Sequence, residues 1–290
     1  MAESAKPANA YPVQALREQA TNLEAALELT LARPRKRPVH QLRTTTRRIE
    51  ALLELLDLLE PFHPALAGFS ARAAKLKRLL AAVRKAAGKV RDLDVQRDLI
   101  RQAAHEPTQK HLRGDAKQLR RTLKAQRERE AQALLEELEH HALKLGPKLE
   151  KLIAQLEPAK GVAVSPARLA SLARNWYAPR WAGAQGPETS EETLHAVRKA
   201  AKLARYMAEA ATGNAGANSA AESSAAARMA EHFEQTQQLG GDWHDALTLR
   251  RVAEHQLGRK ADLARVFGAH EQAALTHFRK HLQQQAVGTN

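Results

Sequence analysis

The chain has 290 residues, no cysteine, and 46 Lys plus Arg against 32 Asp plus Glu, a formal charge of +14. That length admits two domains of about 100 to 150 residues, and the lack of cysteine excludes a disulfide framework and any thiolate nucleophile or metal ligand. No run approaches the roughly 20 apolar residues of a bilayer-spanning helix and the polar N-terminus has no signal-peptide core, so a cytoplasmic protein without membrane insertion is expected, with a polyanion as partner.

Ala, Leu, Arg, Glu, Gln and Lys dominate while β-branched and aromatic residues are scarce, which favours helix nearly everywhere and predicts an all-α fold. After a tail over 1–12, expected to be disordered, helices are predicted over 13–32 and 39–59. Between them Arg33-Pro34-Arg35-Lys36-Arg37-Pro38 makes a basic loop that stops one helix and primes the next. Further helices are predicted over 64–87, 91–104 and 108–145, the last continuing towards 156 beyond Gly146-Pro147. The Pro- and Gly-bearing segment 157–166 reads as an interdomain linker. Beyond it, helices are predicted over 166–176, 191–211, 220–239, 243–255 and 259–285, with 212–224 a mobile surface loop by its Gly, Asn, Ser and Ala content.

The charge is not spread evenly. Residues 33–130 hold 25 Lys plus Arg and 11 Asp plus Glu, whereas the remainder carries 21 of each sign. The whole excess therefore lies in one stretch, as an interaction surface would require and mere solubility would not.

An internal repeat supplies the second clue. Val39-His40-Gln41-Leu42-Arg43, followed by Arg47, recurs as Leu194-His195-Ala196-Val197-Arg198, followed by Lys202, so His, Arg and a third cation stand at relative positions 0, +3 and +7. Gly88-Lys89-Val90-Arg91-Asp92-Leu93 matches Gly241-Asp242-Trp243-His244-Asp245-Ala246 more loosely, and the two offsets, 155 and 153 residues, nearly agree. The pair implies duplication of a four-helix unit, giving two four-helix bundles over 13–160 and 161–290 related by a pseudo-two-fold axis. At about 100° per residue each His-Arg-cation set falls within an arc of roughly 60°, opposite the Leu face. Lys36 and Arg37 extend the first set, Arg48 and Lys199 flank the two, and Arg205 adds a cation to the second.

Such a stripe is usually a plain solvated face, but an imidazole repeated at equivalent places suits donation to anionic oxygen. A longer stripe follows: Lys110, Arg113, Lys117, Arg121 and Lys124, with Arg120 at its edge, opposite Leu112, Leu119 and Leu123. It lacks the acids at i+4 that would neutralise it, and it is expected to form the polyanion groove together with the two histidine helices. Lys89 and Arg91 are further candidates. Asp92, Asp94 and Asp245 read as helix caps after Gly88 and Gly241, or as groups that orient neighbouring cations, rather than as metal ligands. The 13 histidines include no HExxH pair, and there is no Walker A, GxGxxG or GxSxG motif, so no metal, cofactor or catalytic residue is expected.

At these residues the chain resembles the CHAD family, the conserved histidine α-helical domains. The resemblance rests on HxxR with a cation at +7 in both halves and on Gly88 to Val95 and Gly240 to Leu247, and it spans most of the chain. It implies two helical bundles around a basic groove or pore that accepts inorganic polyphosphate or its sulfate and phosphate mimics, and association with polyphosphate granules. It also implies that His40, Arg43, Arg47 and Arg48, with His195, Arg198 and Lys202, contact the polyanion without catalysis. The family often carries a cation ten residues after the histidine; Arg205 fits this, whereas Glu50 does not. Members are frequently fused to CYTH-type triphosphatase domains, and without such a segment hydrolysis is not expected. Binding to the backbone of RNA or DNA is the alternative, although the few aromatics do not interleave with the basic stripes.

Overall fold

The computed structural model describes residues 9–105, 107–186, 188–210 and 220–287. Eight helices account for nearly all of them: α1 Pro12–Ala32, α2 Lys36–Leu59, α3 Phe69–His105, α4 Arg113–Gln155, α5 Pro166–Ala182, α6 Glu191–Glu209, α7 Ala220–Leu257 and α8 Asp262–Val287. Among the described residues the only β-type pairing is an isolated antiparallel bridge between Ala10 and Val164. The all-α expectation holds. No helix of the described residues is long and apolar enough to cross a membrane.

Helix ends follow local chemistry. Ser165 and Ser190 accept the backbone N–H of Arg168 and Thr193, each at 3.2 Å, and so start α5 and α6. Glu60 accepts the N–H groups of Phe69 at 3.2 Å and Ser70 at 3.1 Å at the head of α3, where a carboxylate also suits the helix dipole. Gly258, with φ of 91°, turns the chain out of α7.

The expected boundaries fail where glycine was read as a break. The helices predicted over 64–87 and 91–104 are one helix, α3, and those over 220–239 and 243–255 are one helix, α7. Gly88 and Gly240 lie inside them because other side chains press against their backbones. A Cβ on Gly88 would stand 2.4 Å from Arg43 Nη1, and one on Gly240 would stand 2.8 Å from Phe278 Cζ and 2.9 Å from Arg198 Cγ. Asp92, Asp94 and Asp245 are therefore mid-helix and cap nothing. The expected mobile loop lies outside the described residues over 212–219, while 220–224 already belong to α7. Of the expected tail, the first eight residues lie outside the described set, and Ala10 exchanges backbone hydrogen bonds with Val164 at 2.9 and 3.0 Å.

Consecutive helices pack on one another within α1–α4 and within α5–α8, and α2 packs on α6 across the two halves. One apolar core runs through both sets. It includes Leu16, Leu53, Val83 and Leu138 from the first four helices and Leu169, Met207, Phe233 and Phe278 from the last four. The segment 157–166 is part of this packing, since Ala159 and Val164 are buried in the same core. A second, smaller core joins Leu93 and Ile100 of α3, Leu119 and Leu123 of α4, Leu249 of α7 and Phe267 of α8. Along α3 the main core ends at Val90 and the second begins at Leu93; along α7 the same change occurs between Leu247 and Leu249. A polar layer lies at that junction.

Candidate polyanion-binding cleft

The polar layer is a cleft of about 580 Å³. Histidine helices α2 and α6 supply His40, Arg43, Thr44 and Arg47 from one half and His195, Arg198, Lys199 and Lys202 from the other. The third helix of each half closes it, α3 with Arg91, Asp92 and Val95, and α7 with Gln237, Gln238, Gly241, Asp242, His244 and Asp245. The two His-Arg-cation sets, 155 residues apart in the chain, thus face one space.

Two close approaches position the arginines. Arg43 lies over Gly88 and donates from Nη1 to the carbonyl of Arg84 at 3.2 Å, and Arg198 lies over Gly240. Any larger residue at either glycine would occupy space that the guanidinium or its stem now fills. Six cations and three histidines meet only three aspartates here. Asp92 acts on Arg43 and Arg198 alike and favours their charged forms, and Asp245 does the same for Arg198. This is the cation-orienting role rather than the capping one.

The surplus strains the cations. Burial, followed by repulsion from Arg43, Arg47, Arg205 and Arg198, pushes the Lys202 ammonium down to about 8. Burial and then Arg198 and Lys199 push His195 down to about 4, and its ring lies 4.8 Å from that of His244 between centroids, tilted by 30°. Burial and then Arg91 and Lys202 lower His40, and burial and then Arg47 lower Lys199. Arg43 and Arg198 fall as well, burial being the main cause for both. Arg198 Nε, Gln237 Oε1 and His244 Nδ1 are buried at this cleft with no hydrogen-bond partner. Depressed basic groups and the unpartnered Arg198 Nε–H around one open space are what an anion there would relieve, whereas the Gln237 oxygen, itself an acceptor, is not.

Eight of the candidates from sequence are gathered at the cleft: His40, Arg43, Arg47, Arg91, His195, Arg198, Lys199 and Lys202. The others stand outside its lining. Arg48 is exposed and lies 5.7 Å from the Tyr206 ring. Arg205 pairs with Glu234 at 2.7 Å and Glu209 at 3.2 Å, although its charge is felt at Lys202. Lys36 pairs with Asp98, yet lies close enough to act on His40, and Arg37 is exposed. Lys89 turns to another groove between α3 and α4, 3.5 Å from Glu130.

The α4 stripe does not wall the cleft. Lys110, Arg113, Lys117, Arg121 and Lys124 are exposed, Arg120 is partly buried, and Leu119 and Leu123 on the opposite face pack in the second core. Among the described residues, only Lys124 of this stripe has an acidic group within ion-pair distance, Glu128 at 3.8 Å. Arg127, a turn further along, bonds Asp94 at 3.1 Å and the Pro34 carbonyl at 2.5 Å, which pins the basic loop before α2 against α4.

Sequence reading missed Glu50 and Arg84. Glu50 bonds Arg47 at 2.9 Å and Arg84 at 3.0 Å, and burial together with Arg47 lowers Arg84 to about 10. Glu50 occupies the repeat position of Arg205. The first half thus puts an acid on the histidine helix against a cation on α3, and the second half puts a cation there against Glu234 on α7. His244 was visible only as the partner of Arg91 in the looser repeat match.

An all-α chain with two HxxR helices facing one basic cleft defines a class of helical histidine domain. Comparison with known proteins is consistent with this: the model of the CHAD domain matches residues 14–254, and the chain belongs to the CHAD family. The crystal structure of the CHAD domain from the plant Ricinus communis is similar over 96% of this chain and 93% of its own, with 18% identity and a TM-score of 0.56. PptA from Streptomyces chartreusis is similar over 96% and 99%, with 18% identity and a TM-score of 0.57. No curated protein matches by sequence.

Proposed function

We propose that this chain binds inorganic polyphosphate in the cleft between α2 and α6, without catalysing a reaction on it. The observation that carries this reading is the convergence of six cations from both halves on one space, where burial and mutual repulsion already depress the basicity of Arg43, Arg198, Lys199 and Lys202. A linear polymer of anionic phosphates fits such a row: arginine forks can hold oxygens in pairs while lysines act as point charges. Membership of the CHAD family supports the same ligand. The exposed α4 stripe, with Lys36, Arg37 and Lys89, would attract the part of a long polymer that leaves the cleft, and association with polyphosphate granules in the cytoplasm follows from that avidity.

RNA or DNA backbone is the other ligand with this charge. Tyr, Phe and Trp are absent from the residues lining the cleft, so bases would find no stacking platform. Calorimetric titration with polyphosphates of defined length, with nucleic acid as competitor at fixed salt, separates the two. Polyphosphate should bind more tightly at equal phosphate concentration, and efficient displacement by nucleic acid would overturn the choice.

A further inference from the structure

A cavity of about 440 Å³ lies where α5, α7 and α8 meet, and shares no lining residue with the basic cleft. Its chemistry is of another kind. Tyr177, Trp181, Phe233 and Met229 supply apolar and aromatic wall, and its histidines are His232 and His281. Burial lowers both histidines, His281 being lowered further by its neighbour His232, so this is no site for a multiply charged chain. Trp181 is fixed by donation from its indole N–H to the Leu282 carbonyl at 3.1 Å, and Tyr177 by edge contact with Phe233 at 5.1 Å between ring centroids. The walls are preformed.

One polar group inside is left over. Tyr177 is only 4% exposed, and its hydroxyl has no hydrogen bond of ordinary geometry. The Thr236 hydroxyl is close enough to pair weakly with it, but already donates to the His232 carbonyl at 3.1 Å and also meets His281 Nε2 at 2.8 Å and Gln285 Nε2 at 2.7 Å. Burial keeps the Tyr177 phenol protonated, hence a donor. Buried hydroxyls are almost always well paired, and one at a cavity wall whose only hydrogen-bonding neighbour among the described residues, Thr236, is already shared among three other groups can turn to an acceptor in the cavity. Arg174 also borders the cavity, is exposed, and has no acidic partner within ion-pair distance among the described residues.

We propose that this cavity is a second binding site, independent of the cleft, for a flat aromatic ring that carries a hydrogen-bond acceptor and one anionic substituent. The ring lies among Trp181, Phe233 and Met229, its acceptor takes the Tyr177 hydroxyl, and its anion meets Arg174. A nucleoside monophosphate and a heteroaryl carboxylate with a ring nitrogen acceptor share this chemistry, and AMP and quinoline-3-carboxylate serve as probes of the two.

The test is a titration of the full chain with each probe, following the indole N–H resonance of Trp181 by NMR. A saturable shift is expected with at least one probe, weakened about tenfold in Tyr177→Phe, which removes only the donor, and lost in Met229→Trp, which fills the cavity. Saturation by AMP alone assigns the nucleotide class, by quinoline-3-carboxylate alone the heteroaryl carboxylates, and by both the shared chemistry. No saturable shift with either probe at millimolar concentration overturns the site, as does a shift that Tyr177→Phe leaves unchanged. Competition of either probe with polyphosphate would place it in the cleft and equally overturn the proposal.

Discussion

Lys202 shows most directly what the cleft does to a single residue. Its ammonium is held near 8 by burial and four arginines, against an ordinary value of 10.5. In that window the unfolded chain binds the proton that the folded chain has lost, so the free protein gains stability as pH rises from about 8 to 10.5 and lacks that gain below it. His195, held near 4 against 6.5, makes stability fall as pH drops through that range. A bound polyanion would reverse both shifts. Titration with polyphosphate at pH 8 in buffers of different ionisation enthalpy should therefore report proton uptake, reduced in Lys202→Gln; no uptake would show that Lys202 does not face the ligand. Glu50 offers the opposite test. It is an internal counterion for Arg47 and Arg84, so Glu50→Gln should lower the melting temperature of the free protein, raise polyphosphate affinity several-fold and enlarge the stabilisation that ligand gives. The HxxR spacing made His40, Arg43, Arg47 and their counterparts legible in sequence because helical periodicity alone puts them on one face. The link from Glu50 to Arg84 was not legible, since it joins α2 to α3 across residues distant in sequence; in sequence Asp92 reads as either a cap or a cation-orienting group, and only the packing decides between them.

At the scale of the element, the two buried glycines differ in what presses on them. Gly88 meets the far end of a flexible side chain, Arg43 Nη1 at 2.4 Å, whereas Gly240 meets the Phe278 ring and the stem of Arg198. Gly88→Ala should leave the melting temperature unchanged or slightly raised, because alanine is the better helix former by about 1 kcal/mol, while moving Arg43 and weakening polyphosphate binding. Gly240→Ala should destabilise by about 1–3 kcal/mol through overpacking. Chemical denaturation of both variants checks the contrast, and equal losses of stability would contradict it. The same glycines explain why the predicted helices were too short: glycine disfavours helix in isolation, and the packing that offsets this lies in residues distant in sequence. The α4 stripe was read correctly as a one-sided face, but periodicity fixes only which residues share a face. Leu119 and Leu123 turn to the second core, so the stripe turns to solvent.

For the whole molecule, the repeat predicts two units and the packing joins them. One core passes through all eight helices, and α2 lies against α6. Heat should therefore unfold the chain in a single transition, with calorimetric and van't Hoff enthalpies equal, and polyphosphate should move that transition without splitting it. Two separable transitions would show that each half folds alone. The charge asymmetry of the sequence is also reshaped in three dimensions. Three of the six cleft cations, Arg198, Lys199 and Lys202, come from the second half, whose 15 Lys plus Arg barely exceed its 12 Asp plus Glu, and much of the first half's surplus lies on the exposed stripe of α4.

The most direct test of polyphosphate binding is the salt dependence of affinity for a polymer long enough to fill the cleft. With six cations engaged and roughly −0.7 per phosphate contact, log affinity should fall with log salt at a slope of about −4. In a folded variant with Arg47 and Lys202 replaced by Gln, affinity should drop sharply and the slope should shrink by about one to two units. Unchanged affinity and slope in that variant would mean that the polymer binds elsewhere.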